Sequence, residues 1–312
     1  MLGCVGDPLP DTPGHVAVAD LGSDASSDSA GERGTLTDRL IYACGDSHTA
    51  GSELVDHQLW PDQHPGFWGM DEVELRDPKV MRRWREFRER KLRAGDPVNY
   101  AHWQALEHLR SWPSELQRLG HAVKNAAVIG QSMDWVARQT LEDISKLLRT
   151  MKGSAITAII QPPTHVRLQR YESETGSWHS FQLGNTSGMD AVVHEWFVNN
   201  EDEHSLLTRW MISIMGLCTS LRSLDVKVIL VNAGMPDMNA VLAQHKILHQ
   251  LRDDAETLAI ADVYQRLCDH LWHPRSMWDL AHSVEKPYCP DLHWRHEVHQ
   301  ALAQDLADSH HC

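Results

Sequence analysis

Five short apolar runs separated by helical stretches constrain this chain more than any other feature. Leu40 to Cys44, Ala122 to Ile129, Ala155 to Gln161, Val226 to Asn232 and Leu258 to Val263 read as strands, the fourth most clearly because Val, Ile and Leu fill it. Helices are predicted between them: Glu53 to Trp60, Ala101 to Leu119, a stretch after Ser132 carrying Trp135, Leu141, Ile144 and Leu148, then His204 to Leu221 and Ala240 to Leu251. The spacing of Val298, Leu302 and Leu306 predicts one more. Strands joined through helices pair in parallel, because the crossover returns each strand to the same side of the sheet. The expectation is an α/β domain built on a mainly parallel sheet of about five strands.

The first strand stops abruptly at Gly45-Asp46-Ser47-His48. Burying residues 40 to 44 and turning at Gly45 leaves Ser47 at the carboxyl edge of the sheet, where open α/β folds take their ligands. A serine hydroxyl is a weak nucleophile at neutral pH, so it needs a base, and the base needs an orienting acid. Pro290-Asp291-Leu292-His293, in a loop ahead of the last helix, offers both.

Gly45-Asp46-Ser47, and Asp291-x-His293 followed by His299, resemble the first and last motifs of the SGNH, or GDSL-type, hydrolases. Ser111-Trp112-Pro113, Leu119-Gly120 and Asn125 to Ser132, with Arg138 and Thr140 beyond, resemble a block between them. The pattern is most similar to a phage-associated branch. Ile159-Ile160-Gln161-Pro162-Pro163-Thr164-His165-Val166-Arg167 keeps that branch's strand and arginine, but has neither its Trp-Thr nor the family's usual Gly-x-Asn-Asp. The resemblance implies a three-layer α/β/α, flavodoxin-like fold and a Ser47, His293, Asp291 triad that cleaves carboxylic esters without a cofactor. It also implies an oxyanion hole from the N–H groups of Ser47 and Gly130, with a third donor among Thr164, Gln161 and His165, and Arg167 and His48 as substrate contacts. Taken alone, Gly130 reads equally as an ordinary strand-to-helix turn. The implied substrate is a small-molecule or carbohydrate ester, acetylated carbohydrate among them, and acyl transfer to a sugar hydroxyl would use the same residues.

The chain has 312 residues and a formal charge of -14, which excludes a general affinity for nucleic acid or an anionic membrane surface, since both need cationic faces. Its six cysteines contain no Cys-x-x-Cys pair and read as reduced thiols. The N-terminus has no basic segment followed by an apolar one, so a cytoplasmic or otherwise soluble location is expected. Residues 1–34, rich in Asp, Ser, Gly and Pro, read as a disordered tail ahead of one domain over 35–312. That domain carries a helical insertion at about 61–105 and a loop insertion at about 165–200, within which Tyr171 to Asp190 reads as a hairpin or lid bordering the substrate pocket or, equally, as an inert surface loop. Within the first lies a basic helix over residues 79–93, whose Val80, Trp84 and Phe87 share one face; it reads as a solvated helix docked by its aromatic stripe, or as a patch for polyanions.

Two other readings compete with ester hydrolysis. Asp291, His293, His296 and His299 are spaced closely enough to form a metal site, although no His-Glu-x-x-His pattern is present. The missing asparagine block also suits a catalytically inactive relative that only binds, for example, a sugar.

Overall fold

The computed structural model describes residues 39–61, 70, 72–165, 167–172, 177–182, 203–233, 255–285, 287–290 and 292–310. Residues 1–34, the helix expected at Ala240 to Leu251 and Asp291 lie outside the described residues.

Four parallel strands form the central sheet in the order β2 (Val123–Asn125), β1 (Leu40–Cys44), β3 (Ile156–Ile160) and β6 (Lys227–Leu230). Cys44 pairs with Ile160 and Ile160 with Leu230, so the strands end in one row. The segments after them, at residues 45–47, 126–130, 161–165 and 231–233, therefore emerge along a single edge. A two-stranded antiparallel hairpin, β4 (Arg167–Glu172) with β5 (Ser177–Gln182), lies in the region expected as a hairpin or lid.

Strand alternation divides the core into two layers. Tyr42, Cys44, Ala158, Ile160, Val228 and Leu230 point to one face, with buried Val136 and Ile144 of a helix at Met133–Leu147 and Met211, Ile214 and Leu221 of a helix at Glu203–Ser223. Ile41, Ala43, Ile159, Ile229 and Val231 point to the other, against Trp112, Leu116, Met277 and the C-terminal helix at His296–His310. Val298, Leu302 and Leu306 of that last helix are all fully buried, as their spacing predicts. Helices thus cover both faces of the sheet, compatible with three α/β/α layers. Among the described residues no helix is long and apolar enough to cross a membrane.

Numbered in order, the helices are α1 (Ser47–Ala50), α2 (Asp56–Leu59), α3 (Glu72–Leu75), α4 (Pro78–Ala94), α5 (Tyr100–His108), α6 (Trp112–Arg118), α7 (Met133–Leu147), α8 (Glu203–Ser223), α9 (Ala255–Cys268), α10 (Met277–Ala281) and α11 (His296–His310). The basic helix is α4. Asp77 caps it by accepting the Lys79 N–H at 2.8 Å, Pro78 opens it, and Gly95 at φ 70° closes it. Its Trp84 and Leu92 are buried with Val55, Trp60 and Trp103 in a third apolar cluster. The aromatic stripe is thus docked, as in the first of its two readings.

Two expectations need correction. Leu258 to Val263 is not a strand; it belongs to α9. Among its described side chains Ala261, Tyr264 and Cys268 are buried, a three-and-four spacing that a six-residue window of Leu, Ala, Ile and Val obscures. The helix expected from Ala101 to Leu119 is two helices, because Pro113 holds the chain in a helix start at Trp112 and Ser111 is extended (ψ 161°). Among the described residues the sheet has four strands, and the segment expected as the fifth is the one that forms α9.

Candidate active site

Ser47 begins α1 immediately beyond β1. Gly45 makes the turn: a Cβ there would lie 2.5 Å from Thr49 Oγ1 and 2.9 Å from the Gln161 carbonyl oxygen, so glycine is required by space. Asp46 anchors the start of α1. One carboxylate oxygen accepts the His48 N–H at 3.1 Å, and the other meets Arg167 Nη1 at 2.7 Å. Gln161 completes the clamp, its Oε1 accepting the Asp46 N–H at 3.2 Å and the Thr49 hydroxyl at 3.1 Å. Its amide nitrogen donates to Pro162 O at 2.9 Å. Arg167 and Gln161 thus hold the turn that carries Ser47, a role sequence reasoning did not assign them. Ser47 is 2% exposed, and its hydroxyl has no hydrogen-bond partner among the described residues.

Gly130, at φ 80°, lies in the segment after β2, which is laced to the Ser47 turn by Ala126 N–H to Ala43 O at 2.8 Å and Val128 N–H to Gly45 O at 3.3 Å. Thr164 is half-buried and His165 buried in the segment after β3, on the same edge. The hairpin joins this group: Gln169 donates to Gln131 Oε1 and accepts from Arg138, both at 2.9 Å.

His293 is carried on a tightly turned loop. Cys289 N–H donates to His293 O at 2.7 Å, Arg295 N–H to Pro287 O at 2.8 Å, and Leu292 takes a left-handed φ of 62°. The Trp294 ring stacks on Tyr288 at 4.8 Å, and its N–H donates to Ala233 O just beyond β6. This last bond sets the loop on the edge where Ser47 lies. The His293 ring is 5.1 Å, centre to centre, from that of His48, the neighbour of Ser47.

His293 Nδ1 lies 2.9 Å from Glu53 Oε2, and this carboxylate is wholly buried. Glu53 occupies a left-handed turn at φ 71°. Its second oxygen accepts the Trp84 indole N–H and stands 3.4 Å from Arg88 Nη1. Sequence reasoning missed it because Glu53 opened a predicted helix, where an acid needs no explanation beyond the favourable helix end. The structure starts the helix only at Asp56. The orienting atom expected for Asp291 is therefore engaged by Glu53.

Two further acids crowd the same interior. Asp56 accepts the Trp103 indole N–H at 2.6 Å, and Glu107 accepts the N–H groups of Leu54 at 3.2 Å and Val55 at 3.1 Å. Arg88 is the cation within reach of Glu53 and Asp56. Burial pushes Asp56 up to about 7, with the Glu53 charge adding and Arg88 opposing; burial also drives Glu107 well above the usual carboxylate range. The folded chain thus prefers protonated Asp56, whereas the unfolded chain releases that proton near pH 4. This preference stabilises the fold fully below pH 4 and is lost as pH rises through about 7. Asp56→Asn imitates the neutral acid. It is expected to match wild type in Tm at pH 4 and to exceed it by about 3 °C or more at pH 8; a gap independent of pH would refute the assignment.

The other two histidines of the C-terminal group point elsewhere. His296 Nδ1 lies 2.9 Å from Arg110 O, and His299 Nδ1 accepts the Trp112 N–H at 3.1 Å. Burial holds His299 well below its ordinary value, hence neutral. Among the described residues no three His, Cys, Asp or Glu side chains form a group that could hold a metal.

No family model matches this chain, and neither does any curated protein.

Proposed function

We propose that this protein is a serine hydrolase acting on carboxylic esters, with Ser47 as nucleophile and His293 as base. The observation that carries the reading is the meeting, on one sheet edge, of a strand-end serine hydroxyl without a partner among the described residues and a histidine whose Nδ1 is held by a buried carboxylate. His293 takes the Ser47 proton on Nε2 as Oγ attacks the carbonyl carbon, and returns it to the leaving alcohol as the tetrahedral intermediate collapses. Water then repeats the sequence on the acyl-serine. The N–H groups of Ser47 and Gly130 serve the oxyanion, each donor contributing about 3 kcal/mol to the transition state. A small-molecule or carbohydrate ester, acetylated sugar among them, is the substrate class, and a three-layer flavodoxin-like fold of the SGNH kind suits the edge. Arg167 acts on this site through Asp46, and His48 is the side chain placed to meet substrate next to Ser47.

A catalytically silent binding protein is the second reading. It is favoured by the burial of Ser47 Oγ and by the lack of a hydrogen bond from it to His293. A fluorophosphonate probe separates the two, run beside a panel of short-chain nitrophenyl esters after dialysis against EDTA. Stoichiometric probe attachment mapped to Ser47, with turnover that survives chelation, is the expected result. A folded chain that neither reacts with the probe nor turns over any ester would sink the hydrolase proposal, and turnover lost on chelation alone would point to a metal.

A further inference from the structure

Resting on the hydrolase reading, we propose that Glu53 is the residue that positions the base, and that helix α4 of the insertion holds Glu53 in place. A neutral imidazole carries one N–H, and a carboxylate can only accept. The 2.9 Å contact between His293 Nδ1 and Glu53 Oε2 therefore places the ring hydrogen on Nδ1 and leaves Nε2 with its lone pair, the tautomer a general base requires. When Nε2 takes the proton from Ser47 Oγ, the imidazolium that forms has the Glu53 charge against its other nitrogen.

The acid is suited to this by how it is held. A carboxylate with no solvent exposure keeps a fixed orientation only if its other oxygen is also bound. Oε1 accepts the Trp84 indole N–H and lies 3.4 Å from Arg88 Nη1. Trp84 and Arg88 are one helical turn apart on α4, so both reach the same oxygen. Arg88 also lies 5.5 Å from the centre of the Trp103 ring, which limits where its guanidinium can swing. The left-handed backbone at Glu53, an uncommon state for a residue with a side chain, turns its carboxylate back towards the His293 loop, where Cys289 Sγ packs 3.9 Å from Glu53 O. The insertion is on this account a structural support of the active site, and the basic face of α4 is secondary to its inward Trp84 and Arg88.

The test uses the full chain and compares Glu53→Gln, Glu53→Asp, Trp84→Phe and Asp291→Asn, with circular dichroism to confirm folding. Glu53→Gln is expected to lower kcat on a nitrophenyl ester by about 10³ to 10⁴-fold with KM within about 3-fold of wild type, and Glu53→Asp to recover part of the loss. The acid limb of the kcat/KM profile should move to lower pH, because the charge favouring imidazolium has gone. Trp84→Phe, which keeps an aromatic ring but removes the N–H on Oε1 together with part of the indole, is expected to lower kcat about 10-fold, and it decides the matter if Glu53→Gln does not fold. In proton spectra of the wild type, a downfield Nδ1–H signal from His293 should be present and should vanish in Glu53→Gln. That signal is read whether or not esters are hydrolysed. If it is present while Ser47 resists the fluorophosphonate, the positioning contact stands and the hydrolase reading falls. The proposal is overturned if folded Glu53→Gln keeps kcat within about 10-fold of wild type, if the acid limb stays in place, or if Asp291→Asn removes both the activity and the downfield signal.

Discussion

Ser47→Ala is expected to lower kcat for ester hydrolysis on the order of 10⁶-fold while leaving KM nearly unchanged. In the proposed mechanism the hydroxyl supplies the bond-forming atom, so its loss would remove the covalent route altogether, whereas binding and the backbone N–H donors would remain. His293→Ala should cost about as much, since Oγ without a base is again a weak nucleophile. The double substitution should then be little worse than either single one, because both remove the same step. Steady-state kinetics on a nitrophenyl ester give the comparison. Losses that multiply would show that Ser47 and His293 act independently, and a Ser47→Ala rate within about 10-fold of wild type would rule out Ser47 as nucleophile.

Gly153→Ala is expected to carry the largest loss of stability. A Cβ at residue 153, just ahead of β3, would stand 1.8 Å from the Leu224 carbonyl oxygen and 3.0 Å from its carbon. The obstacle is backbone, so no rotamer relieves it. The turn from α8 into β6 would have to move, although Leu221 and Val226 on either side of it are buried in the core and Asp225 is already left-handed at φ 61°. The expected cost is about 3 kcal/mol or more, or a fall in Tm of roughly 6 to 12 °C. Gly216→Ala is the control: it lies in α8 with nothing within 4 Å of the new carbon, and alanine favours the helix by about 1 kcal/mol. Thermal melts of the two variants test the account, which fails if they shift alike.

The parts of this molecule that local pattern determines were legible in the sequence. β1, β3 and β6 lie in runs whose residues alternate between two buried layers, and α4, α7 and α11 arise from one-sided periodicity, with recognisable caps on the first two. Ser47 stood out because a buried strand ended in glycine and small polar residues. Where local patterns were ambiguous, reading failed: residues 258 to 263 are apolar enough for a strand, and only the packing of Ala261, Tyr264 and Cys268 makes them helical. Glu53 was illegible for a different reason. Its identity as a partner of His293 rests on a contact across 240 positions of sequence and on a left-handed turn, and neither leaves a local signature. The clamp of Asp46 by Gln161 and Arg167 was hidden in the same way.

The division of the site between the two ends of the chain has a consequence for biosynthesis. All four strands of the sheet are complete by Leu230, and the helices that sandwich β1 at α6 and α7 are made earlier still. Before His293 has been synthesised, a growing chain therefore holds the four strands and the Ser47 turn, but one face of the sheet still lacks α11. Until His293 meets Glu53 and Trp294 meets Ala233, the base of the proposed mechanism is missing. On the proposed mechanism, competence is acquired last, because the residues that follow His293 also complete the second core layer through Val298, Leu302 and Leu306.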